Sequence, residues 1–443
     1  MVRRLGPLLL LALGCQGPPM SVPRAVEVPS PDAVVQTGPG SFRQCPAQPE
    51  LQLDLPHLWE LTLANNPTLR EAEADVGAAQ GHMIQAGLYP NPHFHYVQET
   101  IGSSLARQGN LIFEVNQEIV TAGKRRLDRA VAERETSAAA VGLLTQRFQT
   151  LTRVRRAYYD FLGLLHVLEV NREVVATLER GVEVTRQQVE RAKTRPQTDL
   201  LRLEALLAEA RINQARTEDA FEGAWRQLAA EVGVPSLPHV AGLGKLPEIA
   251  PRWSSDDVLK RTLAVNSSLT QASLVVDRAS LAVKRARAGA VPNVTVGAGY
   301  NADNTDQTAG YLVSVEAALP LWDRQQGAIR EAQARLASAE AALRVTEYRL
   351  RREGAEAFAR YKAASRQVER LAREVLPRLQ SSEELLRKAY QAGSAQVTFS
   401  DLLTAEQSLS GTRLTLAEAR RSMWLAIADL QGLMQLDVCE EHP

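Results

Sequence analysis

The chain has 443 residues, and its 51 Lys and Arg balance its 51 Asp and Glu, so the formal net charge at pH 7 is zero. A chain without net charge has no overall positive field that would attract a polyanion, so we expect no nucleic-acid partner. Hydrophobic residues make up 45% of the chain, which excludes wholesale disorder. Three cysteines are too few for a disulfide scaffold, and whether Cys45 and Cys439 pair stays open.

Residues 1–15 predict an export signal, because two arginines precede the apolar run 5–13. That run is shorter than the about 20 residues a membrane-spanning helix needs. It ends in Leu-Gly-Cys15, which resembles a bacterial lipoprotein signal and makes Cys15 the expected lipidation site; ordinary cleavage beside an incidental cysteine is the alternative. Gln16 follows instead of the Asp that often retains such lipoproteins in the inner membrane, which favours the outer membrane. Residues 16–50 are Pro-rich and predict an extended tether.

The chain repeats itself at an offset of 202 residues, because the segment that starts at Ala86 recurs at Ala288. The segment that starts at Asp199 recurs at Asp401 with the same offset. Few insertions separate the two copies, so both halves should share one architecture. The predicted organisation is a first repeat at 51–235, a linker at 236–258, a second repeat at 259–436 and a tail at 437–443.

Each half predicts an opening helix, two strands, a very long helix, a tight turn and another long helix. Large apolar or small residues recur every seven positions in the second half, as in a coiled coil. They are Ile329, Leu336, Leu343, Leu350, Ala357, Ala364 and Leu371, and then Leu402, Leu409, Leu416, Met423 and Leu430. A helix over about 124–191 would be roughly 100 Å long at 1.5 Å per residue, so the helices should form a rod, bundle or tube.

Between the opening and long helices the hydrophobic period changes to two, which predicts strands. The predicted strands are His93–Ile101, Leu111–Ile119, Val294–Tyr300 and Tyr311–Leu319, joined by polar loops at 102–110 and 301–309. Strands of about nine residues are long enough to cross a bilayer at a tilt. No stretch after the signal is apolar enough for a spanning helix, so any crossing would fall to these strands. A pair of hairpins on a soluble β-domain is the alternative.

Strands that cross a membrane must close into a barrel, because lipid cannot satisfy the backbone groups of an open edge. The smallest barrels have about eight strands. A chain with four strands must therefore share a barrel with copies of itself. Three copies would supply twelve strands and would arrange the long helices into a tube.

The sequence resembles the TolC-like outer membrane factors over about 51–436. The resemblance rests on the duplication and on four motifs, which are Asn66-Pro67-Thr68-Leu69, Pro90-Asn91-Pro92, Gln117-Glu118-Ile119 followed by Gly123-Lys124-Arg125-Arg126, and Leu319-Pro320-Leu321-Trp322-Asp323-Arg324-Gln325-Gln326-Gly327. It implies a mainly α fold with a small β part, assembled as a homotrimer with a twelve-stranded barrel and a twelve-helix periplasmic tunnel. The Gly-Lys-Arg-Arg segment is similar to the metal-cation efflux branch, but no motif fixes a substrate.

The resemblance also implies a function. The protein would be the passive outer membrane duct of a tripartite efflux or type I secretion system, anchored to outer membrane lipid. Its partners would be a periplasmic adaptor (membrane fusion protein) and an inner-membrane pump of the RND or ABC type. The alternative is a periplasmic coiled-coil adaptor or scaffold lipoprotein without a pore, but an adaptor would have one helical hairpin instead of two strand-pair-plus-hairpin units.

In this family the tips of the helical hairpins form the periplasmic gate and dock the adaptor. The implied tip residues here are Tyr390, Gly393 and Asp401 in the second half and Asp199 in the first, where Arg191 replaces the family's glycine. Asp401 lies at the position of an acidic ring, and three symmetry copies would focus a negative field in a narrow pore. The alternative is structural, since Asp in a first helical turn complements the helix dipole and Thr398 can cap the helix.

Three further features are weighed against simpler interpretations. Trp322 beside Pro320 predicts an interfacial aromatic belt, with an ordinary packed aromatic as the alternative. His93 and His95 share a strand face, but they lack further ligands nearby and predict a surface or lumen pair. The Gly123-Lys124 pair lacks the rest of a phosphate loop, and no nucleophile elbow or zincin motif occurs. We expect no cofactor, no metal site and no enzymatic activity.

Overall fold

The computed structural model describes residues 54–99, 109–191, 196–237, 244–247, 249–303, 308–392 and 396–437. The signal, the tether, Cys15, Cys45, Gly393 and Cys439 lie outside these residues. The first repeat contains α1 (Leu55–Asn65), α2 (Pro67–Gly87), β1 (His93–Gln98), β2 (Asn110–Ile119), α3 (Lys124–Glu190) and α4 (Gln197–Val232). The second contains α5 (Ser255–Val265), α6 (Ser267–Ala288), β3 (Val294–Asp303), β4 (Thr308–Ala317), α7 (Gln326–Arg370), a π-helical turn (Leu371–Val375), α8 (Leu376–Gln391) and α9 (Phe399–Leu433).

The long helices keep the offset of 202 residues that the sequence predicts. Helix α3 begins at Lys124 and α7 at Gln326, while α4 begins at Gln197 and α9 at Phe399. Helix α5 begins at Ser255, inside the stretch predicted as linker 236–258. Among the described helices, none is both long and apolar enough to span a membrane.

The prediction of a single opening helix in each half is wrong, because each opening helix is broken in two. Asn66 and Asn266 have extended backbones and their side-chain oxygens accept from the N–H groups of Thr68 and Ser268, both at 3.0 Å, so each Asn caps the second helix. In the first half the break follows from Pro67, which disfavours helical backbone in the residue before it.

The two breaks are also tied to the same place in their own repeats. Asn66 Nδ2 donates to the carbonyl of Glu231 at 2.7 Å, and Asn266 Nδ2 donates to the carbonyl of Leu433 at 3.2 Å. Glu231 and Leu433 are related by the offset of 202 and lie at the ends of α4 and α9. The repeats therefore match in tertiary contacts as well as in element order.

The long helix of the second half is interrupted where α3 is continuous. The π-helical turn Leu371–Val375 precedes Pro377, which lies in the first turn of α8. Proline lacks an N–H, and its ring would clash with the carbonyl of the residue four positions earlier, here Arg373. That carbonyl lies inside the wider π turn, which accommodates the ring.

The four strands form one antiparallel sheet in the order β1-β2-β3-β4. The hairpins join through β2 and β3, whose register runs from Ile119 opposite Val294 to Asn110 opposite Asp303. The predicted loop 301–309 is too long, because β3 continues to Asp303 and β4 begins at Thr308. Most of the loop predicted at 102–110 lies outside the described residues.

The long helices pack side by side in the order α4-α3-α9-α7, while α2 packs on α3 and α6 packs on both α3 and α7. The core lies in the middle of this row, where the heptad positions Leu350, Ala357, Leu416 and Leu430 are buried as predicted. Residues from three helices complete it, namely Leu151, Val154, Phe161, Trp225, Leu228 and Ile427. A smaller cluster, Val175, Val182, Leu200, Leu203 and Leu207, joins α3 to α4 nearer the tip.

Candidate functional site

The sheet has one apolar face that is open to solvent in the single chain. Phe94 pairs with Val115 and Tyr96 with Phe113, so the aromatic side chains of β1 and β2 share this face. Its other members are Val294, Val296, Ala298, Tyr300, Tyr311, Val313 and Val315. Tyr311 is 92% exposed and Val313 is 76% exposed. An apolar surface of this kind requires a partner of low polarity.

The opposite face is polar. Glu114, Asn116 and Glu118 alternate with the apolar residues of β2, and His93 and His95 lie opposite Asn116 and Glu114. Both histidines are exposed, which agrees with a surface or lumen pair. Within the described residues no group of three His, Cys, Asp or Glu side chains is arranged to hold a metal ion.

Two glycines let a side chain of β2 reach across β3. Glu114 Oε1 accepts from Ser314 Oγ of β4 at 2.6 Å, although β3 lies between the two strands. An added Cβ on Gly297 would overlap the side-chain oxygens of Asn116, Ser314 and Glu114, and one on Gly299 would overlap the Phe113 carbonyl and crowd Glu114. The polar face is therefore tied together by a hydrogen bond that spans three strands.

The sheet has two open edges, since β1 and β4 each pair with one strand among the described residues. An unpaired edge presents a row of N–H and C=O groups that can pair with another chain. The helical row also has two ends, α4 and α7. In both layers one end belongs to the first repeat and the other to the second.

A buried lysine joins the two repeats where the sheet meets the helices. Lys124, the first residue of α3, is 6% exposed, and its Nζ donates to Asn293 Oδ1 at 2.6 Å. Asn293 Nδ2 donates to Glu118 Oε1 at 2.6 Å, and Thr121 Oγ1 donates to the Pro292 carbonyl at 2.5 Å. Burial lowers the pKa of the Lys124 ammonium and nearby Arg285 lowers it further, while Glu118 and Asp128 act in the opposite direction.

Sequence reasoning treated Lys124 only as part of a motif. The repeat marks both partners as recurring positions, although it does not pair them with each other. Asn293 and Asn91 follow prolines at equivalent positions, and Lys124 is equivalent to Gln326. Both helix starts also follow a residue with left-handed backbone, Gly123 at φ 66° and Gln325 at φ 60°.

At the tip of the second hairpin the structure shows a complete capping box. Asp401 N donates to Thr398 Oγ1 at 3.3 Å, and Thr398 N donates to Asp401 Oδ2 at 2.8 Å. These hydrogen bonds, from the Thr398 hydroxyl first and then its backbone N–H, lower the pKa of the Asp401 carboxyl. The capping role is therefore present, and the gate role stays a prediction.

The other tip residues are only partly brought together. Tyr390 packs against Phe399 with ring centroids 6.5 Å apart, which joins the end of α8 to the start of α9. Asp199 lies in the first turn of α4, where it complements the helix dipole. Arg191 has right-handed backbone at the end of α3, so the replacement of glycine causes no strain at this residue.

Trp322 lies between β4 and α7 and is 85% exposed. Its neighbours Leu319 and Leu321 are exposed as well. The single chain therefore covers little of the Trp322 ring, and both interpretations stay open for the assembled protein. An exposed Trp with exposed leucines beside a sheet is the composition of a membrane-interface belt, which stays a prediction.

Comparison with known proteins identifies the family. Residues 58–234 and 258–434 match the family model described as outer membrane efflux protein. The cobalt-zinc-cadmium resistance protein CzcC of Cupriavidus metallidurans is 26% identical over 70% of this chain and 74% of its own length. Protein CyaE of Bordetella pertussis is 29% identical over 67% of this chain and 68% of its own length.

Two solved channels share the fold. The outer membrane protein VceC of Vibrio cholerae has a TM-score of 0.70 and 21% identity over 86% of this chain and 96% of its own. The MtrE outer membrane channel of Neisseria gonorrhoeae has a TM-score of 0.72 and 17% identity over 89% of this chain and 94% of its own. These matches confirm the predicted mainly α fold with a small sheet and the predicted efflux function, and they give no support to a pore-free adaptor or scaffold. The chain belongs to the outer membrane efflux protein family.

Proposed function

We propose that three copies of this chain form a passive duct through the outer membrane and into the periplasm, as the exit channel of a tripartite efflux system. The observation that carries the proposal is the four-stranded sheet, which has an apolar face, a polar face and two open edges. In lipid such a sheet is stable only when its edges are paired. When edge β4 of one copy pairs with edge β1 of the next copy, the backbone groups of both edges are hydrogen-bonded.

Three copies give twelve strands, a number within the range of known membrane barrels. The apolar face then meets lipid and the polar face lines the lumen, because the reverse would place the Glu114 and Glu118 carboxylates in hydrocarbon. Trp322 lies at the periplasmic rim of this barrel, as part of the interfacial belt. The helical rows of the three copies continue the wall into the periplasm.

The hairpin tips close the duct and select its cargo by charge. Three copies of Asp401 form a negative ring around the threefold axis, with Tyr390, Gly393 and Asp199 in the surrounding tips. A narrow ring of carboxylates attracts cations and repels anions. The same tips dock a periplasmic adaptor, which connects the duct to an inner-membrane pump of the RND or ABC type. The duct itself has no catalytic step and needs no cofactor.

Lipid attached at Cys15 anchors each copy to the outer membrane, and residues 16–50 tether the anchor to the first repeat. We further propose divalent metal cations as the cargo. Support comes from relatives named for metal resistance, CzcC and the nickel and cobalt resistance protein CnrC of Cupriavidus metallidurans, each 26% identical. Carboxylates on the polar face agree with cationic cargo.

The first experiment tests the assembly. The protein is extracted from outer membranes in mild detergent, its mass is measured by light scattering, and its gel migration is compared with and without heating. We expect a trimer that dissociates on heating and forms channels in planar bilayers. A monomer that is washed from membranes without detergent would overturn the duct.

The gate is tested with two variants of one residue. Asp401→Asn removes the charge but keeps an oxygen that can accept from Thr398, whereas Asp401→Ala removes both. If Asp401 forms a charged ring, Asp401→Asn lowers cation selectivity and weakens block by divalent cations while the helix start stays intact. Unchanged selectivity in Asp401→Asn would leave only the capping role.

A further inference from the structure

We propose that the interface between neighbouring copies reuses the packing that joins the two halves of one chain, with Asp219 of one copy paired to Lys362 of the next. The inference rests on the proposed ring of copies. It adds the residue pairs that hold the helical part of the ring together, which are read from contacts within the single chain.

The template is the contact of α3 with α9, which crosses from the first repeat to the second. In the row α4-α3-α9-α7, helix α3 has a long neighbour on each flank, whereas α7 has one long neighbour, α9, and packs otherwise on the shorter α6. By the offset of 202, α7 corresponds to α3 and α4 corresponds to α9. Helix α4 of a second copy, placed on the free flank of α7, therefore recreates the α3–α9 contact.

The ion pair at this contact has a counterpart with exchanged charges. Arg421 Nε of α9 lies 2.7 Å from Asp160 Oδ1 of α3, and both side chains are largely covered. The position equivalent to Arg421 in the other repeat is Asp219 on α4, and the position equivalent to Asp160 is Lys362 on α7. The acid and the base have changed helices, so the two positions still carry opposite charges. Asp219 and Lys362 are both exposed in the single chain.

The residue under the ion pair changes in the way that this exchange requires. The long Arg421 side chain lies against Gly163, where an added Cβ would overlap its Cβ and Cγ atoms. The counterpart of Gly163 is Ser365, and the side chain that would lie over it is the shorter Asp219. A shorter acid leaves room for the Ser365 hydroxymethyl group, whereas an arginine would not.

A second close approach exchanges its small residue in the same manner. Gly432 of α9 lies against Thr152 of α3, and an added Cβ on Gly432 would be 3.0 Å from Thr152 Cβ. The offset converts Gly432 to Ala230 and Thr152 to Gly354. In the template the glycine lies on α9, whereas in the equivalent pair it lies on α7. One glycine is present at each contact, so α4 and α7 of neighbouring copies can approach as closely as α9 and α3 do within one chain. Not every contact repeats, because the positions equivalent to the ion pair of Arg156 with Asp429 hold Phe and Gln.

Cysteine cross-linking tests this register in the full-length protein in its membrane. Gly354→Cys and Ala230→Cys are combined in a chain whose Cys45 and Cys439 are replaced by Ser. Disulfides need Cβ atoms about 3.5–4.5 Å apart, so the 3.0 Å separation of the template has to widen by about half an ångström. The variant should fold, because a Cβ on Gly354 meets nothing within 4 Å and Ala230 is exposed. We expect oxidation to give covalent dimers and trimers that a reductant reverses.

The matched control places the same chemistry in the template. Thr152→Cys with Gly432→Cys should form its disulfide within one chain, so oxidation should change gel mobility without producing a ladder. A ladder from this control would mean that the α3–α9 contact itself forms between copies.

Charge exchange gives an independent readout. Asp219→Lys alone and Lys362→Asp alone should each place like charges together and lower the temperature at which the trimer dissociates by several degrees. The combined exchange should restore most of the loss. A stable trimer with neither cross-links nor rescue would overturn this interface and leave the duct in place, whereas a monomeric wild-type protein would overturn the proposed function itself.

Discussion

Replacing Lys124 tests the junction that joins the two repeats between sheet and helices. Lys124→Met keeps the apolar stem but removes the charged hydrogen bond to Asn293 Oδ1, which is 2.6 Å long and almost fully covered. A hydrogen bond to a charged group contributes about 1.5–3 kcal/mol. Two effects favour the low end of this range. Burial already disfavours the ammonium, as its lowered pKa indicates, and Asn293 Oδ1 still accepts from Thr121 N at 3.3 Å.

The expected loss is therefore about 1.5 kcal/mol, or a fall in Tm of about 3–6 °C. Lys124→Gln is the matched control, because it installs the residue that the second repeat carries at position 326. Its neutral amide can still donate to Asn293, so its stability should lie between those of Lys124→Met and the wild type. Thermal unfolding is followed by circular dichroism in detergent, with reversibility checked on cooling.

The pH dependence has a defined sign. Because the folded-state pKa of Lys124 lies below its ordinary value of 10.5, folding disfavours the protonated amine relative to the neutral amine, and this penalty is complete at every pH below the folded-state pKa. This penalty is relieved as the pH rises through that pKa toward 10.5. The wild type should therefore gain stability relative to Lys124→Gln between neutral and alkaline pH. Equal stability of Lys124→Met and the wild type, with no pH-dependent difference from Lys124→Gln, would refute the assigned role of the junction.

Three further predictions concern the core, the sheet and the tip. Leu430→Ala should lower the free energy of unfolding by about 2–5 kcal/mol, measured by denaturant titration, because Leu430 is fully buried where the helices meet; a loss below 1 kcal/mol would contradict tight packing there. Gly297→Val should reduce the yield of folded trimer in outer membranes, because its side chain would displace Glu114 from the polar face; normal yield would show that Glu114 can move aside, and Gly310→Val, at a glycine with open space, is the control. Asp401→Ala should speed amide hydrogen exchange in the first turn of α9. In the wild type the cap should be lost in acid, as the pH falls through the pKa of Asp401, which lies below the ordinary aspartate value of 3.8. Exchange that is equally slow in the variant would exclude the cap.

The long helices could be predicted closely because their signals are local. The heptad positions at 350–364 of α7 and 409–430 of α9 form a buried stripe, and the predicted helix over 124–191 ends one residue from the observed Glu190. Strand positions followed from alternation for the same reason. The broken opening helices were missed because a cap depends on the backbone of one residue, Asn66 or Asn266, against a helical pattern on both sides.

The junction could not be predicted from any single stretch of sequence. Lys124 and Asn293 are 169 residues apart, and neither position is unusual within its own segment. Burial of the lysine follows from the pairing of β2 with β3, which brings the ends of two separate hairpins together. Predicting a buried lysine at this junction would have required knowing that β2 pairs with β3. The capping box at Asp401, in contrast, uses residues three apart and was visible in the sequence.

A duplicated chain that closes into a ring makes every boundary between repeats twice, once within a chain and once between copies. The inner boundary forms when the chain folds, so it can bury a lysine at position 124 and a glycine under Arg421. The outer boundary stays open until another copy arrives, and its flank must remain soluble in the meantime. Charged side chains such as Asp219 and Lys362 suit that requirement, because they are hydrated while the chain is alone and neutralise one another when copies meet. The sequence differences between the repeats thus separate contacts made during folding from contacts made during assembly.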